Sequence, residues 1–215
     1  MTEIVKTLAL IRKQIRSFTV PIVTSVAYQN DPYKVLISCL LSLRTKDSTT
    51  AQVSRELFKV AHSPKKMIQL PLSRLKKIIY PVGFYRNKAR TLIGVSKRIV
   101  DDFNGKVPDT LEDLLSLKGV GRKTANLVLG LAFHKPAICV DIHVHRIPNR
   151  LGWIRTKEPF ESELALQRIV PGRLWIELNT LLVTFGQNIC VPVSPLCSKC
   201  FVYARCKRIG VKQWR

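Results

Sequence analysis

Apolar residues recur at helical spacing along most of the chain. Ile4, Leu8, Ile11 and Ile15 mark one such face, Leu57 with Val60 a second, and Leu92, Ile93, Ser96 and Ile99 a third; this is the period of helices that bury one side. Start signals accompany the runs. Asp31-Pro32, Asp47-Ser48, Ser63-Pro64 and Thr110-x-x-Asp113 each place a capping side chain ahead of an apolar stretch. "VLISCLLSL" is apolar all round and predicts a central, buried helix. Only "AICVDIHV" alternates like a strand, and it is too short and isolated to build a sheet; it reads as a loop entering a helix at Asp141. The expected class is all-α. With no repeat, low-complexity segment or long linker, any domain division must come from helices packing in two groups.

Composition narrows the partner. Among 215 residues, 36 Lys and Arg stand against 14 Asp and Glu, and the formal charge of +22 is spread along the sequence. Such a balance favours a polyanion, nucleic acid first. A membrane-surface protein can be as basic, but it would show one amphipathic helix with its cations opposite a Trp, Phe and Leu stripe, and none is visible. The N-terminal "MTEIVKTLALIRKQIRSF" carries charges within its apolar stretch, unlike a signal peptide or a membrane span. An intracellular, cytoplasmic setting follows as the expectation. Thiols stay reduced there, so clustered cysteines point to metal more than to disulfides. Cys39 and Cys139 stand alone in apolar surroundings and read as packing residues.

"LLSLKGVGRKTANLVLGLAF" carries the first chemistry. A helix end meets Gly119-Val120-Gly121, and another helix opens with Arg122, Lys123 and Thr124. Two glycines allow a tight turn with unobstructed N–H groups, and the second helix turns its positive end to an anion. The stretch lacks the longer loop of a Walker A and the preceding strand of a dinucleotide fingerprint. It reads as a helix-hairpin-helix grip on DNA phosphate. Lys123 is by default a phosphate contact. As a nucleophile it would have to be unprotonated, which a helix N-terminus, the adjacent Arg122 and partial desolvation all favour. Asp141, in "VDIHVHR", is either an N-cap or a carboxylate able to stabilise positive charge on a sugar or move protons. His143 and His145 read as structural residues or phosphate contacts.

The tail supplies a second centre. In "CVPVSPLCSKCFVYARC", Cys190, Cys197, Cys200 and Cys206 are separated by six, two and five residues. Structural zinc usually takes two close knuckles, and only Cys197 and Cys200 form one. Spacing alone leaves zinc and an iron–sulfur cluster both open.

With "LKGVGRKTAN", "VDIHVHR" and four cysteines in this order, and with "LISCLLSLRTKD" and "GFYRNKA" upstream, the chain resembles the endonuclease III family of helix-hairpin-helix DNA glycosylases. The resemblance spans nearly the whole chain. It implies a bifunctional base-excision-repair enzyme, a DNA glycosylase with abasic-site lyase activity, that removes oxidised pyrimidines from duplex DNA through a lysine Schiff base and cuts the strand by β-elimination. Lys123 takes the place of the nucleophile, Asp141 that of the essential carboxylate, and the four cysteines those of [4Fe–4S] ligands. A monovalent cation on the hairpin carbonyls maps to Leu115, Leu117 and Val120. The implied fold is two helical domains flanking a DNA-binding cleft: a six-helix barrel holding the hairpin, residues 25–135, and a cluster domain of residues 1–24 and 136–215. A nucleoid-associated monomer acting on damaged or abasic double-stranded DNA is implied as well. Expected DNA contacts are Arg44, Phe84, Gly119, Gly121, Arg122 and His143.

Departures accompany the matches. Arg44 stands where such proteins commonly place Gln to fill the gap left by a flipped base, and Phe84 replaces a wedge that is often Leu. Ile142 replaces a usual Thr. Pro148 falls inside the helix Asp141 should open and predicts a kink or a break there. "VPVSPL" between the first two cysteines has no charge and two prolines, which predicts a stiff clasp, with phosphate contacts and shielding of the cluster left to Lys199, Arg205, Lys207 and Arg208. The "RTKD" and "YPVGFYRNKA" wording leans to archaeal-type members. Two rival readings remain: a monofunctional adenine- or mismatch-specific glycosylase, which lacks the Lys at the Lys123 position, and a non-enzymatic hairpin protein with a zinc site.

Overall fold

The computed structural model describes residues 2–27 and 30–215. Its elements run α1 (Glu3–Gln14), α2 (Ile22–Ala27), α3 (Pro32–Ser42), α4 (Asp47–Val60), α5 (Pro64–Gln69), α6 (Leu72–Ile78), α7 (Tyr85–Asp102), α8 (Leu111–Ser116), α9 (Arg122–Phe133), α10 (Ile142–Leu151), α11 (Pro159–Ile169) and α12 (Trp175–Asn188). Among the described residues there is no strand, so the fold is all-α. No described helix is long and apolar enough to cross a membrane.

Several helices start where a side chain caps them. Asp31 Oδ1 accepts the N–H groups of Tyr33 and Lys34 at 3.0 and 3.1 Å, and Pro32 sets the first helical φ of α3. Ser63 caps α5 and Thr110 caps α8. At α4 the expected cap shifts by one residue: Lys46 occupies the N-cap without a side-chain bond, and Asp47 is the first helical residue. A carboxylate in the first turn still favours the positive end of the helix.

The chain divides into two compact units, Met1–Pro21 with Pro136–Arg215, and Ile22–Lys135. In the second, α3 is the core. Val35 through Leu41 are all buried, and α2, α4, α7 and α9 pack around the helix. A helix apolar on every side demands such a sheath, because any open face would leave apolar area in water. Tyr33, buried on α3, bonds Ser96 of α7 through their hydroxyls at 2.7 Å, and Ser96 is also bonded to the Leu92 carbonyl.

The other unit joins the two ends of the chain. Leu8, Ile11 and Ile15 from the N-terminal segment share a core with Leu178, Leu182 and Phe185 of α12 and with Val144 and Ile147 of α10. Arg12 clamps Glu177 with two bonds of 2.7 and 2.6 Å. "AICVD" is irregular, as expected, and Asp141 caps α10.

Pro148 does not break α10, which continues to Leu151. A proline inside a helix removes one backbone bond and costs about 3 kcal/mol. Tertiary packing offsets that: Val144, Ile147 and Leu151 are buried in the unit's core, and Asn149 Nδ2 donates to the His145 carbonyl at 2.8 Å. Opposite α10, a Cβ on Gly186 of α12 would stand 2.3 Å from His143 Nδ1 and 3.0 Å from Ile147 Cδ1. Gly186→Ala should therefore destabilise the protein by about 1–3 kcal/mol despite the better helix propensity of Ala. The exposed helical Gly94, where a Cβ meets nothing within 4 Å, is the control. Gly94→Ala should raise a urea midpoint that Gly186→Ala lowers.

Candidate functional site

Four constellations carry the candidate chemistry, and each forms within one unit. On the unit of residues 22–135, α8 and α9 are joined by the Gly119-Val120-Gly121 turn. The Val120 N–H donates to the Leu117 carbonyl at 2.9 Å, and the Ala125 N–H to that of Gly121 at 2.9 Å. One of the three carbonyls expected at a cation, Leu117, thus already accepts a bond within the turn. The two glycines do different work. Gly119 has φ +98°, and a Cβ there would lie 2.6 Å from Thr91 Cγ2. The fold itself requires it. Gly121 is exposed, has no positive φ, and a Cβ would meet nothing within 4 Å. Nothing inside the protein demands glycine there, while the open approach suits an outside ligand at the start of α9.

Lys123 and Arg122 occupy the first turn of α9. Lys123 is exposed although Thr124 and Ala125 beside it in the same turn are buried, so the partial desolvation expected for it is absent. Its charge is felt at Cys39 of α3, where burial outweighs it and pushes the thiol up to about 12. Cys39 and Cys139 are both buried packing residues.

Arg44 and Phe84 come together at the tips of two loops. The Arg44 guanidinium carbon lies 5.4 Å from the Phe84 ring centroid, a cation–π contact. Phe84 is 61% exposed, far more than an aromatic packed for stability alone. Both residues adopt left-handed backbone, at φ 52° and 59°, which costs about 1–3 kcal/mol each for bulky residues and persists only where the surroundings enforce it. Part of that enforcement is direct backbone approach. A Cβ on Gly83 would stand 2.7 Å from the Arg44 carbonyl oxygen, so the two loops touch main chain to main chain. Beside Phe84, Tyr80 and Tyr85 pack edge to face at 5.1 Å, and Arg86 lies over Tyr85.

On the other unit, Asp141 Oδ1 accepts the N–H groups of His143 and Val144, both at 2.9 Å. Its capping role is real, and Oδ2 takes no part in it. His143 follows, its ring against Gly186 and its Nδ1 3.1 Å from Arg146 Nη2. His145 bonds Ser162 of α11 at 2.7 Å, a structural tie.

Cys190, Cys197, Cys200 and Cys206 line one cavity with Ile147, Phe185 and Val202, a water-sized space of about 20 Å³. Among the described residues, no three His, Cys, Asp or Glu side chains form a group at the spacing of a single metal ion. Burial pushes the Cys200 thiol up to about 11 and also raises Cys206 and Cys197. Neutral thiols suit this apolar space, and thiolates would need a cationic centre among them.

Two arginines on α10 hold the loop between the first two cysteines, and neither was visible as such in the sequence. Arg150, buried, donates to the Val191 and Pro192 carbonyls at 2.8 and 2.5 Å and to Cys190 Sγ at 3.5 Å. Arg146 donates to the Cys190 carbonyl at 2.8 Å. Their spacing of four residues on a helix was the available signal. Of the four basic residues expected to shield the cysteines, Arg208 does lie close: its main-chain N–H donates to Cys206 Sγ at 3.4 Å, while its guanidinium stacks on Tyr203. Arg205 instead pairs with Glu3.

A family model described as HhH-GPD superfamily base excision DNA repair protein matches residues 37–172. Endonuclease III of Thermotoga maritima is 46% identical over 179 residues, covering 83% of this chain and 84% of that protein. The solved structure of a trapped endonuclease III–DNA covalent intermediate, an estranged-adenine complex, is similar at a TM-score of 0.85, with 32% identity across 97% of both chains. A thermostable thymine-DNA glycosylase is similar at 0.82, with 26% identity across 94% of both chains.

Proposed function

The chain belongs to the HhH-GPD superfamily of base excision DNA repair proteins, and on that premise we propose that it is a bifunctional endonuclease III, excising oxidised pyrimidines from duplex DNA and cutting the abasic strand. The observation that carries the reading is Lys123, an exposed amine in the first turn of α9 directly after the Gly119–Gly121 turn. There it is within reach of a sugar whose phosphate is held at the start of α9. A relative trapped as a covalent intermediate with DNA is what such a nucleophile would give.

The chemistry then runs through this chain's own residues. The damaged nucleotide leaves the stack. Unprotonated Lys123 Nζ attacks the sugar C1′, the C1′–N bond to the base breaks, and the base departs with the bonding pair. Opening of the sugar ring yields an iminium between Nζ and C1′. Its positive charge acidifies the C2′ proton; loss of that proton and cleavage of the C3′–O bond cut the strand on the 3′ side. An exposed ammonium loses its charge preference only when desolvated, a role the bound duplex takes here. Asp141, with one oxygen committed to the helix start, offers the other to the positive charge that develops on the sugar or to the proton transfers. Arg44 and Phe84 fill the gap and wedge the stack, Gly119, Gly121 and Arg122 hold phosphate, and His143 adds a DNA contact.

Cys190, Cys197, Cys200 and Cys206 would hold a [4Fe–4S] cluster, which would cross-link the end of the chain. The fit rests on four thiols sharing one apolar cavity, with Arg150 and Arg208 N–H groups aimed at the sulfurs. An intracellular monomer acting on DNA completes the reading. The similarity to a thymine-DNA glycosylase supports a second reading, a monofunctional mismatch glycosylase, against which the amine of Lys123 argues.

Borohydride reduction on DNA with an abasic site separates the two. Wild-type protein should form a covalent adduct and Lys123→Gln none, while the salt slope of binding changes by no more than about 1; a collapse of binding would make Lys123 a phosphate contact. Asp141→Asn keeps a good helix cap, so thymine glycol excision should slow by about 100-fold or more with the melting temperature nearly unchanged. Purified protein should be brown and carry about four irons per chain, and a colourless, zinc-loaded protein would refute the cluster.

A further inference from the structure

We propose that Lys88 is a positioning residue that locks the Arg44 and Phe84 tips side by side, so that the duplex is opened by one rigid wedge. The inference rests on the DNA-opening role given to those two residues above.

Lys88 lies in the first turn of α7 and is 9% exposed. Its ammonium has three N–H donors, and the structure gives it three acceptors: the carbonyl oxygens of Leu41 at 2.7 Å and Leu43 at 2.5 Å, and Thr45 Oγ1 at 3.1 Å. These acceptors bracket Arg44, two on the carbonyls that end α3 and one just beyond the tip. The negative end of α3 is thereby met by a cation from another helix. The same Lys88 grips the second tip through its backbone, where its N–H donates to the Phe84 carbonyl at 3.0 Å. Thr45 closes the circuit, because its Oγ1 also accepts the Gly83 N–H at 3.3 Å. One side chain and one hydroxyl therefore tie both left-handed residues to the same frame.

Geometry of this kind is what keeps strained tips in place. Arg44 and Phe84 hold positive φ without glycine, a state that relaxes unless neighbouring bonds over-determine it. No carboxylate bonds the ammonium in this arrangement; its three partners are carbonyl and hydroxyl oxygens. Burial accordingly pushes Lys88 down to about 8, the signature of a cation kept for its bonds and not for its solvation. A chain that only needed to fill this space could use an apolar residue at no electrostatic penalty. The ammonium does what an apolar residue cannot, which is to satisfy the end of α3 and fix the direction of the loop that leaves it.

The test compares work on stacked and unstacked DNA. Single-turnover excision of thymine glycol is measured in a duplex and in the same oligonucleotide unpaired, alongside borohydride trapping on an unpaired abasic strand. Lys88→Met preserves volume and removes the buried charge. It should slow duplex excision by about 10- to 100-fold through misplacement of the wedge, leave both unpaired reactions within about twofold, and lower the urea midpoint, because the carbonyls that end α3 lose their donor. Combined with Arg44→Ala, it should slow the duplex reaction no further than Arg44→Ala does alone. Unchanged duplex excision, equal slowing on both strands, or full additivity with Arg44→Ala would overturn the proposal. Should Lys88→Met fail to fold, Thr45→Val removes only the shared hydroxyl and with it the bonds from Lys88 and Gly83, and it should slow duplex excision alone by about threefold or more; wild-type behaviour there overturns the proposal equally. If Arg44→Ala and Phe84→Ala themselves excise from duplex at the wild-type rate, the opening role falls and Lys88's with it. Slow Arg44→Ala beside a normal Lys88→Met sinks Lys88 alone.

Discussion

The buried cations Lys88 and Arg150 take most of their bonds from main-chain carbonyls, and much of the candidate site depends on that arrangement. With 36 basic residues and 14 acidic ones, carboxylates cannot partner every Lys and Arg that leaves solvent. An unpaired charge in the interior costs several kcal/mol. The ends of helices and the turns after them supply the alternative, since their carbonyls lack intrahelical partners and point outward with a partial negative charge. Lys88 takes those at the end of α3, and Arg150 and Arg146 take those of the loop that carries Cys190.

The consequence is that loops without a helical frame are tied to helices by side-chain cations. The stretch from Cys190 to Pro192 has no helical frame of its own, yet it is pinned from α10 by two guanidinium groups. The helix that presents Asp141 at one end thereby grips the cysteine loop from its own face, and Gly186 lets α12 approach close enough for His143 to seat between them. A rigid α10 fixes the carboxylate's position relative to the thiols. At the hairpin the division of labour is sharper: Gly119 answers to Thr91 inside the fold, and Gly121 answers to nothing inside it.

Much of this architecture was legible beforehand. The 3.6-residue period gave an all-α chain, the wholly apolar "VLISCLLSL" became the sheathed α3, and Asp31, Ser63 and Thr110 cap the helices they precede. Local rules failed where tertiary packing outweighed them. Pro148 sits inside an unbroken helix because buried neighbours on either side hold it there, and Lys46 stands at the start of α4 although Asp47 is the better cap by side chain. Lys123 stands in solvent on the outer side of a turn whose Thr124 and Ala125 are buried.

The sequence by itself determined the elements, the family and the residue types that could do chemistry, because periodicity, capping and motif spacing are local and survive in one dimension. Tertiary structure alone decided which cation serves which loop. Lys88 and the Leu41–Thr45 segment are more than forty residues apart in the chain, as are Arg150 and Val191, and nothing in either stretch names the other. A buried charge finds its acceptors only after the helices have packed, and the direction of a carbonyl at a helix end is set by the fold as a whole.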